Sequence, residues 1–334
     1  MLARIAHELF WLGRDMTRAE QTARMLDGAY HADVAGLPGQ RGVALSWDAV
    51  LAVIGAKPPV PGEGEATVPV EDAGEAALAE GALVPLGRNA VSRLLTLDTD
   101  SPASIVSCLG RARERGRTLR DVISTEMWEA LNAFYLSLWR LDLPTAIVTG
   151  PYAVFQEVKE HCALFWGLVG RTMLRDEGRS FLQAGGRIEE ADMIVRMLRV
   201  AVPAEPWGSG HEGEALALLH AVGGLQAYRR AVRTAPTIES VVRFLFYESD
   251  YPGSVAFSVQ ALRDALATAD ANSRSSPPVL RLGRLIADLE LQRRTLAAGA
   301  MQDLLSGAQG ELARIDRDIA ERYFAVAAIA AVHL

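Results

Sequence analysis

The sequence predicts an all-α protein, and three observations carry that prediction. Apolar residues recur at intervals of three and four over long stretches, and alternating patterns bounded by hairpin residues are nearly absent. Half of the 334 residues are hydrophobic, ample for a sizeable core. We expect a multi-helix bundle forming a single domain over 1–334, built from two related helical halves of about 1–150 and 151–334.

The first helix follows from Ile5, Leu9, Leu12, Met16, Ala19, Ala23 and Leu26, which line one face at helical spacing. A short helix follows near 46–55. The stretch KPPVPGEGEATVPVEDAGEAALAEG, residues 57–81, is rich in proline, glycine and acid with little apolar period, and reads as a surface excursion in the first half. Leu119, Ile123, Met127, Ala130, Phe134 and Leu138 predict a helix running from 119 to 138. Further helices are expected near 155–174, 180–200, 212–232, 238–247, 253–269, 278–305 and 310–332, with a loop at 271–279 between the last two blocks.

Two stretches return later in the chain. RLLTLDTDSPASIVSCL (93–109) aligns without gaps to RFLFYESDYPGSVAFSV (243–259), offset by 150, with five identities in seventeen. GRDMTRAEQTARML (13–26) returns as GGRIEEADMIVRML (185–198), offset by 172. The offsets differ by 22, about the length of the excursion, and two related halves with an insertion in the first account for both. The shared DxPxS element reads as a tight helix-to-helix corner. Its proline suits the first turn of a helix, and Asp100, Ser101 or Asp250 can satisfy free amides there. A ligand role for Ser104 or Ser254 is the lesser reading.

Charges sit at the edges of the apolar faces. Glu20 falls at the rim of the first helix's apolar arc, with Arg24 one turn on, so the two can pair. Arg14 and Arg18 point to the other side, where another helix or a ligand must occupy them. Asp192 and Arg196 repeat the acid and base one turn apart. Glu126 falls among Val122, Ile123, Met127 and Ala130, inside the apolar arc of 119–138, and needs a partner there, with Arg120 nearest at hand. Trp128 reads as packing. These charges either set helix register or converge on a polar pocket, and spacing alone establishes no reaction.

Other classes are weakened. The net charge of −7 argues against bulk attraction to nucleic acid. In RARERGRTLR (111–120) the arginines step by two and scatter around a helix, as on a solvated face, with a local anion site the lesser reading. Cys108 and Cys162 lie far apart with no CxxC, so neither disulfide framework nor zinc site is expected. His161 and His220 read as packing, no phosphate loop, GxSxG, HExxH or ExxH pair occurs, and no metal or cofactor is expected. No run reaches the ~20 apolar residues of a membrane span, and the N-terminus lacks a secretory pattern. A cytoplasmic protein without membrane or nucleic-acid partners is the expectation.

Taken together, ELFWLGRDMTRAEQTARMLD, LLTLDTDSPASIV, RTLRDVISTEMWEALN, TMLRDEGRSFLQAGGRIEEADMIVRML and RFLFYESDYPGSV resemble the bacterial alpha-E family over nearly the whole chain. The resemblance implies a mostly helical protein associated with ATP-grasp ligase-like and transglutaminase-like proteins, hence a part in forming or processing peptide or amide bonds on a peptide or a small amine or carboxylate substrate. Carried over position by position, it favours Arg14, Arg18, Glu20 and Arg24, then Arg120, Glu126 and Asn132, then Arg175, Asp176, Glu177, Glu189, Asp192 and Arg196. The expected role is recognition of a carboxylate- or phosphate-bearing substrate by the arginines. The runner-up is an enzyme with Glu20 or Glu126 as general base, and a scaffold without chemistry is third. Against the family pattern GR…ERAD the chain has Gly186 and Glu190, Arg179 replaces the tryptophan after RDEG, and Gly253 interrupts PRS. These changes point to a lost ligand contact in the second half and make the first half the safer site.

Overall fold

The computed structural model describes residues 1–34, 45–56, 87–140, 142–202, 212–270, 272, 275–295 and 301–325. The proline- and glycine-rich stretch 57–81 lies outside them, and the loop 271–279 lies partly outside. Among the described residues there are fourteen helices and no strand.

The helices are α1 (Ala3–Val34), α2 (Trp47–Ile54), α3 (Arg88–Leu97), α4 (Ile105–Thr118), α5 (Thr125–Arg140), α6 (Leu143–Thr149), α7 (Pro151–Thr172), α8 (Glu177–Ala201), α9 (Glu212–Ala221), α10 (Leu225–Ala231), α11 (Ile238–Tyr247), α12 (Val255–Ala269), α13 (Pro277–Thr295) and α14 (Met301–Ile319). A π-helical turn, Ala320–Phe324, extends α14. The face read on the first helix is the core face: Leu9, Leu12, Met16, Ala19, Ala23 and Leu26 are all fully buried. The expected helix 212–232 is two, broken at Gly223, whose φ of 65° suits glycine. The last two helices divide earlier than expected, because Gly307 and Gly310 lie inside α14.

The centre of the fold is the crossing of α1 and α8, the most extensive helix pair among the described residues. Glycine makes it possible. A Cβ on Gly13 would collide with the carbonyl oxygen of Leu182, and one on Gly185 with that of Phe10, so the two backbones touch where both side chains are absent. These contacts correspond, since Gly13 and Gly185, like Phe10 and Leu182, stand 172 residues apart. Around the crossing, α1 packs on α4, α7 and α9, while α8 packs on α12, α14 and α2. The two stretches matched in sequence thus meet each other at the crossing, each through its own glycine.

The DxPxS corners are built as corners, with one correction. Ser104 accepts from the amide of Ser107 at 3.2 Å and Ser254 from that of Phe257 at 3.0 Å, so these serines cap α4 and α12. Asp100, Ser101 and Asp250 do not cap, and the prolines precede the cap instead of opening the helix. Both serines are fully buried.

A second correction concerns 119–138. The helix does not run through 119–124. Ser124 accepts from the amide of Met127 at 3.1 Å and α5 starts at Thr125. Leu119, Ile123, Met127, Phe134 and Leu138 are buried as expected, but the turn resets the phase. Glu126 therefore sits exposed in the first turn of α5, where the helix dipole favours a carboxylate.

Candidate functional site

Sequence spacing left Arg14 and Arg18 needing a partner, and α8 supplies it. Arg14 Nε donates to Glu189 Oε2 at 2.9 Å, while Arg18 donates from Nε to Oε1 at 2.6 Å and from Nη2 to Oε2 at 3.0 Å. Arg14 also donates to Asp316 of α14 at 2.8 Å and lies over the Trp11 ring at 4.7 Å. The Glu189 side chain is only 1% exposed. Burial alone would raise its carboxyl, but Arg18 and Arg14 overcome that and hold it below the usual carboxylate range. These three residues form a closed, buried network, so the two arginines are engaged by the protein itself.

The acid and base pairs are also seated structurally. Arg24 donates to Glu20 Oε1 from Nε at 2.9 Å, and Arg196 Nη2 meets Asp192 at 2.7 Å. Each guanidinium lies against a left-handed glycine at a helix end: Arg24 against Gly223 after α9, and Arg196 against Gly55 after α2. A cation there also complements the carbonyl end of the helix.

Glu20 differs from Asp192 in what lies beside it. A cavity of about 500 Å³ opens between α1, α7 and α8, walled by Thr17, Glu20 and Gln21, by Trp166 and its neighbours, and by Arg179, Gln183, Gly186, Arg187 and Glu190. Glu190 Oε2 accepts from Arg187 Nη1 at 2.6 Å and from Ser258 at 3.2 Å. Burial pushes the Glu190 carboxyl up against the pull of Arg187, and the charge of Glu20 adds to the rise, so the two carboxylates sense each other. Glu20 Oε2, Glu190 Oε1 and the Arg179 guanidinium make no hydrogen bond among the described residues.

Of the candidate site residues chosen from the sequence, only Glu20 lies on this wall. Glu126 is exposed on α5, and Arg120 stacks over Trp128 at 4.8 Å instead of pairing with it. Asn132 accepts from Arg113 at 2.9 Å. Arg175 is exposed, Asp176 caps α8 through the amide of Arg179, and Glu177 meets the amino group of Met1. The cavity draws on both halves of the chain, with three wall residues from α1 and five from α8. Its signal was present: Arg179, Gly186 and Glu190, three departures from the family pattern, all line the cavity. Trp166, Gln183 and Arg187 carried no sequence signal of their own.

The arginines of 111–120 are not a free anion site. Arg111 donates twice to buried Asp15, at 2.9 and 2.8 Å, Arg115 lies 3.6 Å from Glu8 and from Asp15, and Arg117 pairs with Glu114 at 2.9 Å. Cys108 and Cys162 are buried free thiols, and burial pushes Cys108 up to about 12, so neither is a ready nucleophile. His161 stacks on Phe134 at 4.4 Å, as a packing residue does. No group of three or more potential metal ligands occurs among the described residues, and no helix there is long and apolar enough to cross a membrane.

Comparison with known proteins adds a family and three relatives. The alpha-E family, described as a predicted alpha-helical domain with a conserved ER motif, matches residues 1–324. The uncharacterized proteins Mb2597 of Mycobacterium bovis and MT2643 and Rv2567 of Mycobacterium tuberculosis are each 23% identical over 320 residues, covering 93% of this chain and 34% of the relative. The chain thus spans about a third of the length of these curated relatives. No solved structure matches it.

Proposed function

The chain belongs to the alpha-E family, and from that premise we propose that it is a recognition component in a pathway that forms or processes peptide or amide bonds. It works beside an ATP-grasp ligase-like partner and holds a charged group of the substrate in the cavity between α1, α7 and α8. The observation that carries this reading is the cavity wall, where Glu20, Glu190 and Arg179 offer unoccupied polar atoms beside an indole. Convergent polar groups in a concave, partly apolar site are what small charged ligands require. A carboxylate-bearing end of the substrate would meet Arg179, because Arg14 and Arg18 are consumed by Glu189. The length of the relatives supports a partner, since the matched region is joined there to about twice as much further chain.

The test is to express the chain with a candidate ATP-grasp ligase-like protein, isolate the pair and assay amide-bond formation with and without Glu20→Gln and Glu190→Gln. The expected result is a complex that survives both substitutions while KM for the substrate rises at least tenfold. A pair that does not associate, or turnover indifferent to both substitutions, overturns the reading.

One observation favours a second reading, an enzyme in its own right. Glu190 is held above the usual carboxylate range by burial, as suits a general acid, and the Glu20 carboxylate stands beside it on the cavity wall. Glu126 leaves that reading because it lies outside the cavity. Turnover by the isolated chain, lost in Glu190→Gln with kcat falling and KM unchanged, would establish it.

A further inference from the structure

Gly186 leaves one stretch of the cavity wall without a side chain. In the gap-free match between 13–26 and 185–198, Gly186 stands opposite Arg14. On its side of the crossing Arg14 fills the equivalent space with a guanidinium bonded to Glu189 and Asp316 and laid over an indole. On the other side the arginine is missing, and Trp166 closes against the bare glycine. Two carboxylates remain on that wall, each with one oxygen bonded and the other unpartnered, and Trp166 lies so close that a Cβ on Gly186 would sit 2.7 Å from its ring.

Resting on the reading of this cavity as the recognition site, we propose that it is a guanidinium socket: Glu190 and Glu20 receive the guanidinium of an arginine side chain or an agmatine-like amine, with Trp166 as the stacking wall. Guanidinium offers five donors and no acceptor, matching two carboxylate oxygens that can only accept, and its plane stacks on indole. Glu190, held up by burial, gains a charge partner when the cation enters. Arg179 then lies ready for a carboxylate elsewhere on the same ligand, so a peptide carrying arginine near its C-terminus suits the wall as a whole.

The experiment is calorimetric titration of the full chain with N-acetyl-arginine amide, with cadaverine and with glutarate, repeated on Gly186→Arg and Glu190→Gln. The expected result is one-to-one binding of the capped arginine, at least tenfold weaker for cadaverine, with at least a tenfold loss in Glu190→Gln. Gly186→Arg should abolish binding by supplying the guanidinium from within, while its circular dichroism stays native. Should Gly186→Arg fail to fold, Glu190→Gln carries the same decision. Glu126→Gln, outside the cavity, should bind as the parent does. Capped arginine that does not bind, or binds equally to Gly186→Arg and Glu190→Gln, overturns the proposal. Glutarate binding that Gly186→Arg abolishes overturns the cation assignment but leaves the cavity as a recognition site, whereas no binding of any of the three counts against both.

Discussion

Arg14 and Gly186 occupy matched places on α1 and α8, and the surroundings of the two have diverged. Around Arg14 both oxygens of the buried Glu189 carboxylate are engaged, and the guanidinium groups are held by α8 and α14. Around Gly186 the neighbouring carboxylate, Glu190, is half-engaged and raised by burial, and a cavity of about 500 Å³ stands open. Adjacent residues of one helix, Glu189 and Glu190, thus serve opposite ends: one locks the crossing of α1 and α8, the other is left available at its flank. The lesson is that two neighbouring carboxylates on one helix can differ in how fully their surroundings satisfy them.

The comparison can be broken most forcefully on its closed side. Glu189→Gln strips the buried partner from two guanidinium groups, a change that costs about 3–5 kcal/mol, and urea unfolding should show a loss of that size. An unfolding midpoint near the parent's would mean that the arginines find other partners and the closed side is not a lock. Next in size is Gly185→Ala, whose Cβ must displace the backbone of Phe10. Overpacking of that kind costs about 1–3 kcal/mol, and Gly13→Ala, facing Leu182, should cost a similar amount. Two unequal effects would show that the crossing is less even-handed than its contacts.

A finer contrast lies at the glycines that seat Arg24 and Arg196. Both have positive φ, 65° at Gly223 and 74° at Gly55, so alanine there costs about 1 kcal/mol. A Cβ on Gly223 would lie 3.1 Å from Arg24 Nη1, against 3.7 Å between Gly55 and Arg196. Gly223→Ala should therefore be the more destabilising, and the reverse order in thermal melts would remove the packing argument.

The smallest effect is a matter of pH. Glu189 is held below the usual carboxylate range, so its contribution is present above the unfolded value, about 4.3, and is lost as the pH falls through the folded one. Glu190 is held above that range, so its contribution is present below about 4.3 and fades as the pH rises through the folded value. Relative to the parent, Glu190→Gln should gain stability as the pH is raised from 4 towards 7, while Glu189→Gln should lose it. Parallel unfolding curves for the two variants across that range would contradict the opposed roles.

The fold was legible because helical periodicity survives in any window of sequence, and the face from Leu9 to Leu26 went straight to the core. The need of Arg14 and Arg18 for a distant partner was legible too, since phase alone placed them off the apolar arc. Glu126 was misplaced because a cap at Ser124 resets the helical phase, and six residues of turn look periodic when flanked by leucine and isoleucine. The cavity could not be read directly, because it is made by a glycine that contributes no chemistry and by Trp166, whose neighbours make it look like packing. Glu20 and the departures at Arg179, Gly186 and Glu190 all stood out in the sequence, but the departures read there as a lost contact, and it took the third dimension to bring the four to one wall.

The glycine contact between α1 and α8 also has a bearing on how the chain comes off the ribosome. Gly13 and its docking surface at Leu182 are separated by 169 residues, half of the chain. At roughly 5–20 residues per second of synthesis, α1 waits on the order of ten to thirty seconds before the helix it was shaped for has been made. During that interval its buried face and the side chains of Arg14 and Arg18 must be held by interim contacts, with α2 and α3 the first of its neighbours to emerge and the larger contacts of α4 and α7 following. The same close fit that secures the finished molecule makes its completion a late event, decided when residues 182–190 arrive.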